Sequence, residues 1–362
     1  MTLPEYLGNE AMYSRLNLLK DDIRLLHSHP DTTRFVSIAG DALTKTAKTI
    51  EKAAVTNDKM AKDGFMAVAD KVLRDLSEDA SLFFMFENSL KNKKWKPLTN
   101  LSNRCSEYMG LKRNPSVVLY GSSNFSASGP SNMTGRLKLE GETYSLVVID
   151  HSLDALLWPS VVHEIAHLLP SIDELVDNLY YRSGLSKRVN IDEGISKLTE
   201  AVCDSLATSI MGPSYPLSFY AQYYQIFGQG DYRIHPTDEF RMKLMTEILR
   251  SNNLKSYADS IDKLLTNRSR NSWKNDVLAN YIDEIISGTR NVVIKKSDVP
   301  FRRGMRLDDF VSGPPRDIYS LFNEGWSLVL SHYDAEPQTY NKISKKIFDV
   351  LKGETVPLYP PA

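Results

Sequence analysis

Cysteine is scarce in this chain. Cys105 and Cys203 are the only two in 362 residues, too few and too far apart for a disulfide framework. Cys203 is expected to behave as a small buried hydrophobe. Long apolar runs are lacking too. None approaches the ~20 residues that a bilayer-spanning helix needs, so no membrane span is expected. Neither charge sign dominates: 44 Lys and Arg against 45 Asp and Glu leave a net charge of −1. That balance gives no footing for nucleic acid or an anionic membrane surface. The opening residues Met1–Tyr6 have neither the basic start nor the apolar core of a secretory signal, so a reducing cytoplasm is the expected compartment. No internal repeat is visible. Histidine is also sparse, at seven residues.

What is present is globular. Hydrophobic residues make up 42% and charged residues 25%, values of an ordinary folded chain. Residues 9–95 read as helical: Met12, Leu16, Leu19, Ile23 and Leu26 recur at helical spacing, and Phe65, Val68, Val72 and Leu76 form a second apolar stripe. Phe83–Phe86 extend that core. His27 and His29, next to Pro30, mark a helix end. The lysines of Lys91–Lys96, with Pro97, form a solvated linker, so a helical region over 1–97 is expected.

Strands follow. Ser116–Gly121 is β-branched, Ser122–Gly135 is a Ser/Gly/Asn-rich loop, Gly135–Leu139 alternates, Gly141-Glu142 turns, and Thr143–Asp150 is the strongest strand. A central core is expected over 98–250, and 251–362 reads as a C-terminal helical region packed on it, with helices over Leu254–Leu265, Trp273–Ser287 and Ile318–His332. Phe322, Trp326, Leu328 and Leu330 are expected core residues. His151 and His332 have no ligand-like neighbours. Lys295–Arg306 reads as a solvated loop and Val356–Ala362 as an extended tail. The expected fold class is therefore α+β and mostly helical, with a small sheet preceding the central motif and helical flanks.

That motif is His163-Glu164-Ile165-Ala166-His167, an H-E-x-x-H. On a helix, residues four apart share a face, so the two imidazoles aim at one point, with Glu164 beside it. Pro159 suits the helix start, and Val161, Val162, Ile165, Leu168 and Leu169 would bury the remainder. Imidazole nitrogen suits Zn²⁺, and a catalytic zinc takes three protein ligands and keeps one position for water. Glu200 is the best third ligand, four residues before Asp204 on its own helix. Asp204 then accepts the N–H of a ligand histidine and fixes its tautomer. Asp173, Glu174, Asp192 and Glu193 are the other acids in range, the last two reading as a helix entry. Ala201, Ser205 and Thr208 allow close helix approach, and Gly212-Pro213 ends that helix. An extra helix is expected around Ile172–Tyr181. The aromatic run from Phe219 to Phe227 reads as another helix, stopped by Gly228–Gly230.

Further on, His235-Pro236-Thr237-Asp238-Glu239-Phe240-Arg241 gives H-P-x-x-x-x-R. Pro236 disfavours helix at His235. That leaves His235 on a loop, as an oxyanion donor, a helix cap or a structural histidine. Arg241 is a carboxylate clamp, for Asp204 or for a substrate. The order H-E-x-x-H, E-x-x-x-D, H-P-x-x-x-x-R resembles the gluzincin zinc metallopeptidases, and within them the CAAX prenyl protease and heat-shock membrane metallopeptidase family. The resemblance spans 158–245. It implies a zincin-like core, zinc on His163, His167 and Glu200, Glu164 as general base, Asp204 behind a ligand, and His235 and Arg241 near the site.

The expected function is peptide-bond hydrolysis by a zinc-activated water, with a peptide or protein substrate. The alternative is a zinc-containing interaction or effector module whose peptidase site is latent until a partner binds. Nothing in the sequence indicates an oligomeric state.

Overall fold

The computed structural model describes residues 5–26, 29–120, 126–128, 145–150, 154–223, 235–265, 272–290, 292, 306–313, 317–331, 337–353 and 356–359. The chain is mostly helical with a small parallel sheet, and it divides into two compact units. The first comprises 1–95, 116–121 and 128–148; the second comprises 96–115, 122–127 and 149–362.

Three long helices build the first unit: α1 (Glu5–Arg24), α2 (Pro30–Val55) and α3 (Lys59–Ser89). Leu16, Leu19, Ile23 and Leu26 are buried, as their spacing requires. They meet Phe35, Ile38, Ala42 and Leu43 of α2 and Leu73, Leu76, Phe83 and Phe86 of α3. Phe35 and Phe83 stack at 4.3 Å between centroids. Burial of each large apolar side chain contributes about 1.5–3 kcal/mol. The α3 stripe is rotated from the expected one. Val68 is 55% exposed, and Ala69, Val72, Leu73 and Leu76 form the buried face.

His29 marks a helix start, not an end. Its Nδ1 accepts the Asp31 N–H at 3.2 Å, while Thr32 Oγ1 accepts the His29 N–H at 3.1 Å. Pro30 then opens α2, where its missing N–H costs nothing.

Strands β1 (Ser116–Tyr120), β2 (Ser126–Ser128) and β3 (Leu146–Asp150) form a sheet of order β1-β3-β2. β2 falls within the stretch expected to be loop. Val118, Leu146 and Val148 join the core of the helical unit. Ser89 at the end of α3 ties in β1, its Oγ accepting the Leu119 N–H at 2.7 Å. The Trp95 indole donates to Val117 O at 3.0 Å. The main strands thus pack with the N-terminal helices. Helix α4 (Trp95–Tyr108) begins inside the lysine-rich stretch and continues past Pro97. The strand expected at Gly135–Leu139, the turn at Gly141-Glu142 and most of the 122–135 loop lie outside the described residues. So do His27, His151, His332, Phe227–Gly230, Val293-Ile294 and nearly all of Lys295–Arg306.

The second unit carries α5 (Val161–Ala166), α6 (Pro170–Arg182), α7 (Ile191–Met211), α8 (Ser214–Tyr223), α9 (Asp238–Ser251), α10 (Lys255–Leu265), α11 (Ile282–Arg290), α12 (Leu307–Ser312), α13 (Ile318–Ser331) and α14 (Pro337–Lys352). α7 is its central element. Leu198, Ala201, Val202, Cys203 and Leu206 form one core with Val176 and Tyr180 of α6, Phe240 and Leu244 of α9, and Ile285 of α11. Gly194 lets the Tyr180 ring of α6 lie close: a Cβ there would be 2.4 Å from it. Where one helix was expected over Trp273–Ser287, two 3₁₀ turns precede α11. The Asp276 carboxylate takes the Leu278 N–H at 2.9 Å and the Thr237 N–H at 2.7 Å, diverting the backbone from helix.

The end of α7 is clamped by α13. Asn323 donates to Met211 O at 3.0 Å and accepts the Ser214 N–H at 2.9 Å, straddling Gly212-Pro213. The Trp326 indole donates to Leu156 O at 3.1 Å. Phe322, Trp326 and Leu328 are buried, and Leu330 is half-buried. The extended tail returns to the start of α13, where Pro357 O and Leu358 O accept the Ile318 and Tyr319 N–H groups, each at 2.9 Å.

Gly212 has φ +61° and ψ −145°, backbone that side-chain-bearing residues avoid. A Cβ there would also meet Tyr319 OH at 2.7 Å. Gly212→Ala is expected to cost about 1–3 kcal/mol, read as a lowered midpoint in urea denaturation. An unchanged midpoint would show that this turn relaxes freely. No helix among the described residues is long and apolar enough to cross a membrane.

Candidate metal centre

The H-E-x-x-H segment forms a shorter helix than expected. Pro159 lies inside a 3₁₀ run, Ala155–Ser160, which Asp154 caps by accepting the Leu156 N–H at 2.9 Å. The α-helix proper starts at Val161. It stops after little more than one turn because Pro170 forces Leu169 into extended backbone. His167 sits at the C-cap yet keeps helical dihedrals, φ −57° and ψ −20°, so the two imidazoles still share a face. Val161, Val162 and Ile165 are completely buried and Leu169 nearly so, which fixes the turn against α7. Leu168 is only half-buried.

The longer α7 starts at an Asn190 cap, whose Oδ1 accepts the Glu193 N–H at 2.9 Å. It brings Glu200 to the histidines. His163 Nε2 lies 3.1 Å from His167 Nε2 and 3.2 Å from Glu200 Oε2, and His167 Nε2 lies 3.4 Å from Glu200 Oε1. Among the described residues these three form the one cluster able to hold a metal ion. Four-coordinate zinc with bonds of 2.0–2.1 Å sets its donors about 3.3 Å apart. Two imidazole nitrogens and one carboxylate at 3.1–3.4 Å therefore fit such an ion in both chemistry and span. The other candidate acids are elsewhere engaged or turned outward. Asp173, Glu174 and Asp192 are exposed, and Glu193 pairs with Lys197 at 2.8 Å.

Asp204, one turn after Glu200, is completely buried and accepts from three elements. Arg241 of α9 grips it with two prongs, Nε to Oδ2 at 2.6 Å and Nη2 to Oδ1 at 2.8 Å. His163 Nδ1 donates to Oδ1 at 2.9 Å, and Tyr215 OH of α8 donates to the same oxygen at 2.5 Å. The Arg241 guanidinium also lies 4.6 Å above the Phe219 ring and 3.6 Å from Glu200. Of the two clamping roles open to Arg241 in the sequence, the geometry shows Asp204. His235 is half-exposed, with Nε2 3.8 Å from Glu200 Oε1. It does not cap α9; Thr237 does, accepting the Phe240 N–H at 3.3 Å.

Charge in the cluster follows from burial. Burial raises Glu164 to about 7, opposed by the charge on His163 and aided by that on Glu200. No hydrogen bond from a described residue reaches that carboxyl. Burial works against a charged His163, yet its bonds to Asp204 and Glu200 carry it to about 10. Burial and the neighbouring positive His163 take His167 down to about 4. Glu200 is held at about 2 despite burial, by His163 first and Arg241 with it, and Asp204 is pulled below the usual carboxylate range by Arg241. The cluster thus calls for positive charge between its carboxylates. A proton on His163 Nε2 answers that need, and a divalent cation would displace it.

Tyr215, Phe219 and Asp276 were not singled out by motif. Tyr215 stands just before the aromatic run that starts at Phe219, and no spacing rule pairs a phenol with Asp204. Cys203, free and buried, is packed as expected. No protein-family model, curated protein or solved structure matches this chain.

Proposed function

We propose that this chain is a metal-dependent hydrolase of peptide bonds, zincin-like in its core, acting on peptide or protein substrates in the cytoplasm with Zn²⁺ as its cofactor. The observation that carries the reading is the 3.1–3.4 Å triangle of His163, His167 and Glu200, with the buried Glu164 beside it. The cation, when bound, supplies Lewis acidity, lowering the pKa of a water toward ~7 and polarising the scissile carbonyl. His163 and His167 offer neutral nitrogens and Glu200 the single anionic oxygen. Glu164 takes the proton of the attacking water and returns it to the leaving amine. Burial favours the protonated form of this carboxyl, which suits holding the proton between the two transfers. His235, at the rim, donates to the developing oxyanion. Arg241 is committed to Asp204 and so serves the protein rather than a substrate carboxylate. A metal site kept for structure alone has no use for a buried carboxyl, one residue from a ligand, that no hydrogen bond from a described residue reaches, which favours catalysis over a purely structural module.

Protein purified without chelating resins is expected to carry about one equivalent of zinc. It should cleave unfolded casein in a reaction that 1,10-phenanthroline abolishes and added zinc restores. Fully metal-loaded protein that leaves casein and peptide libraries uncut would overturn the hydrolase reading. Glu200→Ala removes one of three ligands. It should leave the purified chain without zinc while its helical circular dichroism persists; retention of a full equivalent would remove Glu200 from the ligand set.

A further inference from the structure

We propose that Tyr215 is a positioning residue that locks the His163 ring with Nε2 turned toward His167 and Glu200; this rests on the metal-site reading above. An imidazole can turn about its Cβ–Cγ bond. A partner at Nδ1 fixes the ring with Nε2 presented to a metal. Here two groups do so: Asp204 Oδ1 at 2.9 Å and Tyr215 OH at 3.1 Å. The phenol has one proton, and it goes to Asp204 Oδ1 at 2.5 Å. Its oxygen accepts a share of the Nδ1–H of His163. Phenol, carboxylate and imidazole close a three-membered ring of contacts, in which each group fixes the orientation of the other two.

Packing reinforces the lock. Tyr215 is 1% exposed. Its ring lies within 17° of the plane of the His163 ring, with centroids 6.2 Å apart. α8, which carries Tyr215, is itself anchored through Ser214 N–H to Asn323 and through Ser218 Oγ to Leu156 O at 2.7 Å. The phenol is therefore a fixed post. It stands on the Nδ1 side of the imidazole, facing away from the donor triangle. It cannot reach the metal, so any effect it has on affinity passes through His163.

The test uses the full chain and Zn²⁺ or Co²⁺ alone, titrated in competition with a chromophoric chelator. Tyr215→Phe removes only the hydroxyl. Loss of such an outer hydrogen-bonding partner typically weakens metal affinity 10- to 100-fold. The variant is expected to fall in that range with unchanged stoichiometry, measured where chemical denaturation shows both proteins folded. Equal affinity in Tyr215→Phe and wild type, with only a lowered unfolding midpoint, would make Tyr215 a packing residue and overturn the proposal. A second measurement needs no variant. In zinc-loaded wild type, ¹⁵N spectra of labelled histidine should show His163 protonated at Nδ1 and metallated at Nε2. Metallation through Nδ1 overturns the proposal whatever the variant does. Failure of wild type to bind either ion defeats the metal-site reading itself, a result distinct from both.

Discussion

Glu164→Gln is expected to retain its metal and to lose turnover by about 10²–10⁴-fold, the usual contribution of a positioned general base. The substitution keeps the shape of the side chain and removes its ability to accept a proton. Glu164 is buried, and no hydrogen bond from a described residue reaches its carboxyl. Neutralising it removes the cost of burying a charge and the repulsion from Glu200, against the loss of attraction to His163 and Arg241. The unfolding midpoint should hold or rise slightly. Such a variant separates chemistry from structure: zinc content and circular dichroism stay at wild-type values while kcat falls and KM moves little. A Glu164→Gln protein that cleaves casein at the wild-type rate would remove Glu164 from the mechanism. One that loses zinc as well would recast Glu164 as a ligand.

Much of this site could be read from spacing because helical periodicity is a local rule. His163 and His167 share a face on a single turn, and Glu200 and Asp204 do so on α7. The stop at Gly212-Pro213 follows from glycine's access to positive φ, and Gly212 has φ +61°. The core of α1 obeys the same rule. Where local signals pointed two ways, tertiary context decided. Pro30 can follow a helix or open one, and the reciprocal bonds of His29 and Thr32 make it an opening. The stripe on α3 slipped by one residue, from Val68 to Ala69, because α1 and α2 choose which face is covered. Nothing local foretold that Asp276 would break a helix by taking the Thr237 N–H of a distant loop. Nor could spacing pair Tyr215 with His163, since a phenol reaches its partner from whichever element tertiary packing brings alongside.

Arg241→Met should be the most damaging single change to folding, by about 3–5 kcal/mol, the usual consequence of leaving a buried charge without its partner. Asp204 is wholly buried and Arg241 8% exposed, and their two-pronged contact at 2.6 and 2.8 Å is the main neutralisation Asp204 receives. Methionine fills much of the arginine stem and keeps contact with Phe219, so the loss reports charge rather than volume. The carboxylate left behind must either ionise without compensation or take up a proton, and a protonated Asp204 can no longer hold His163 as before. Zinc affinity should therefore fall together with the urea midpoint. Asp204→Asn in the same chain removes the orphan charge and is expected to recover a large part of the stability while leaving affinity low. The pair then gives a double-mutant cycle with a coupling of about 1 kcal/mol or more, as for residues in direct contact. Additive effects of the two substitutions would mean that the clamp contributes little, and that packing on Phe219 is what Arg241 provides.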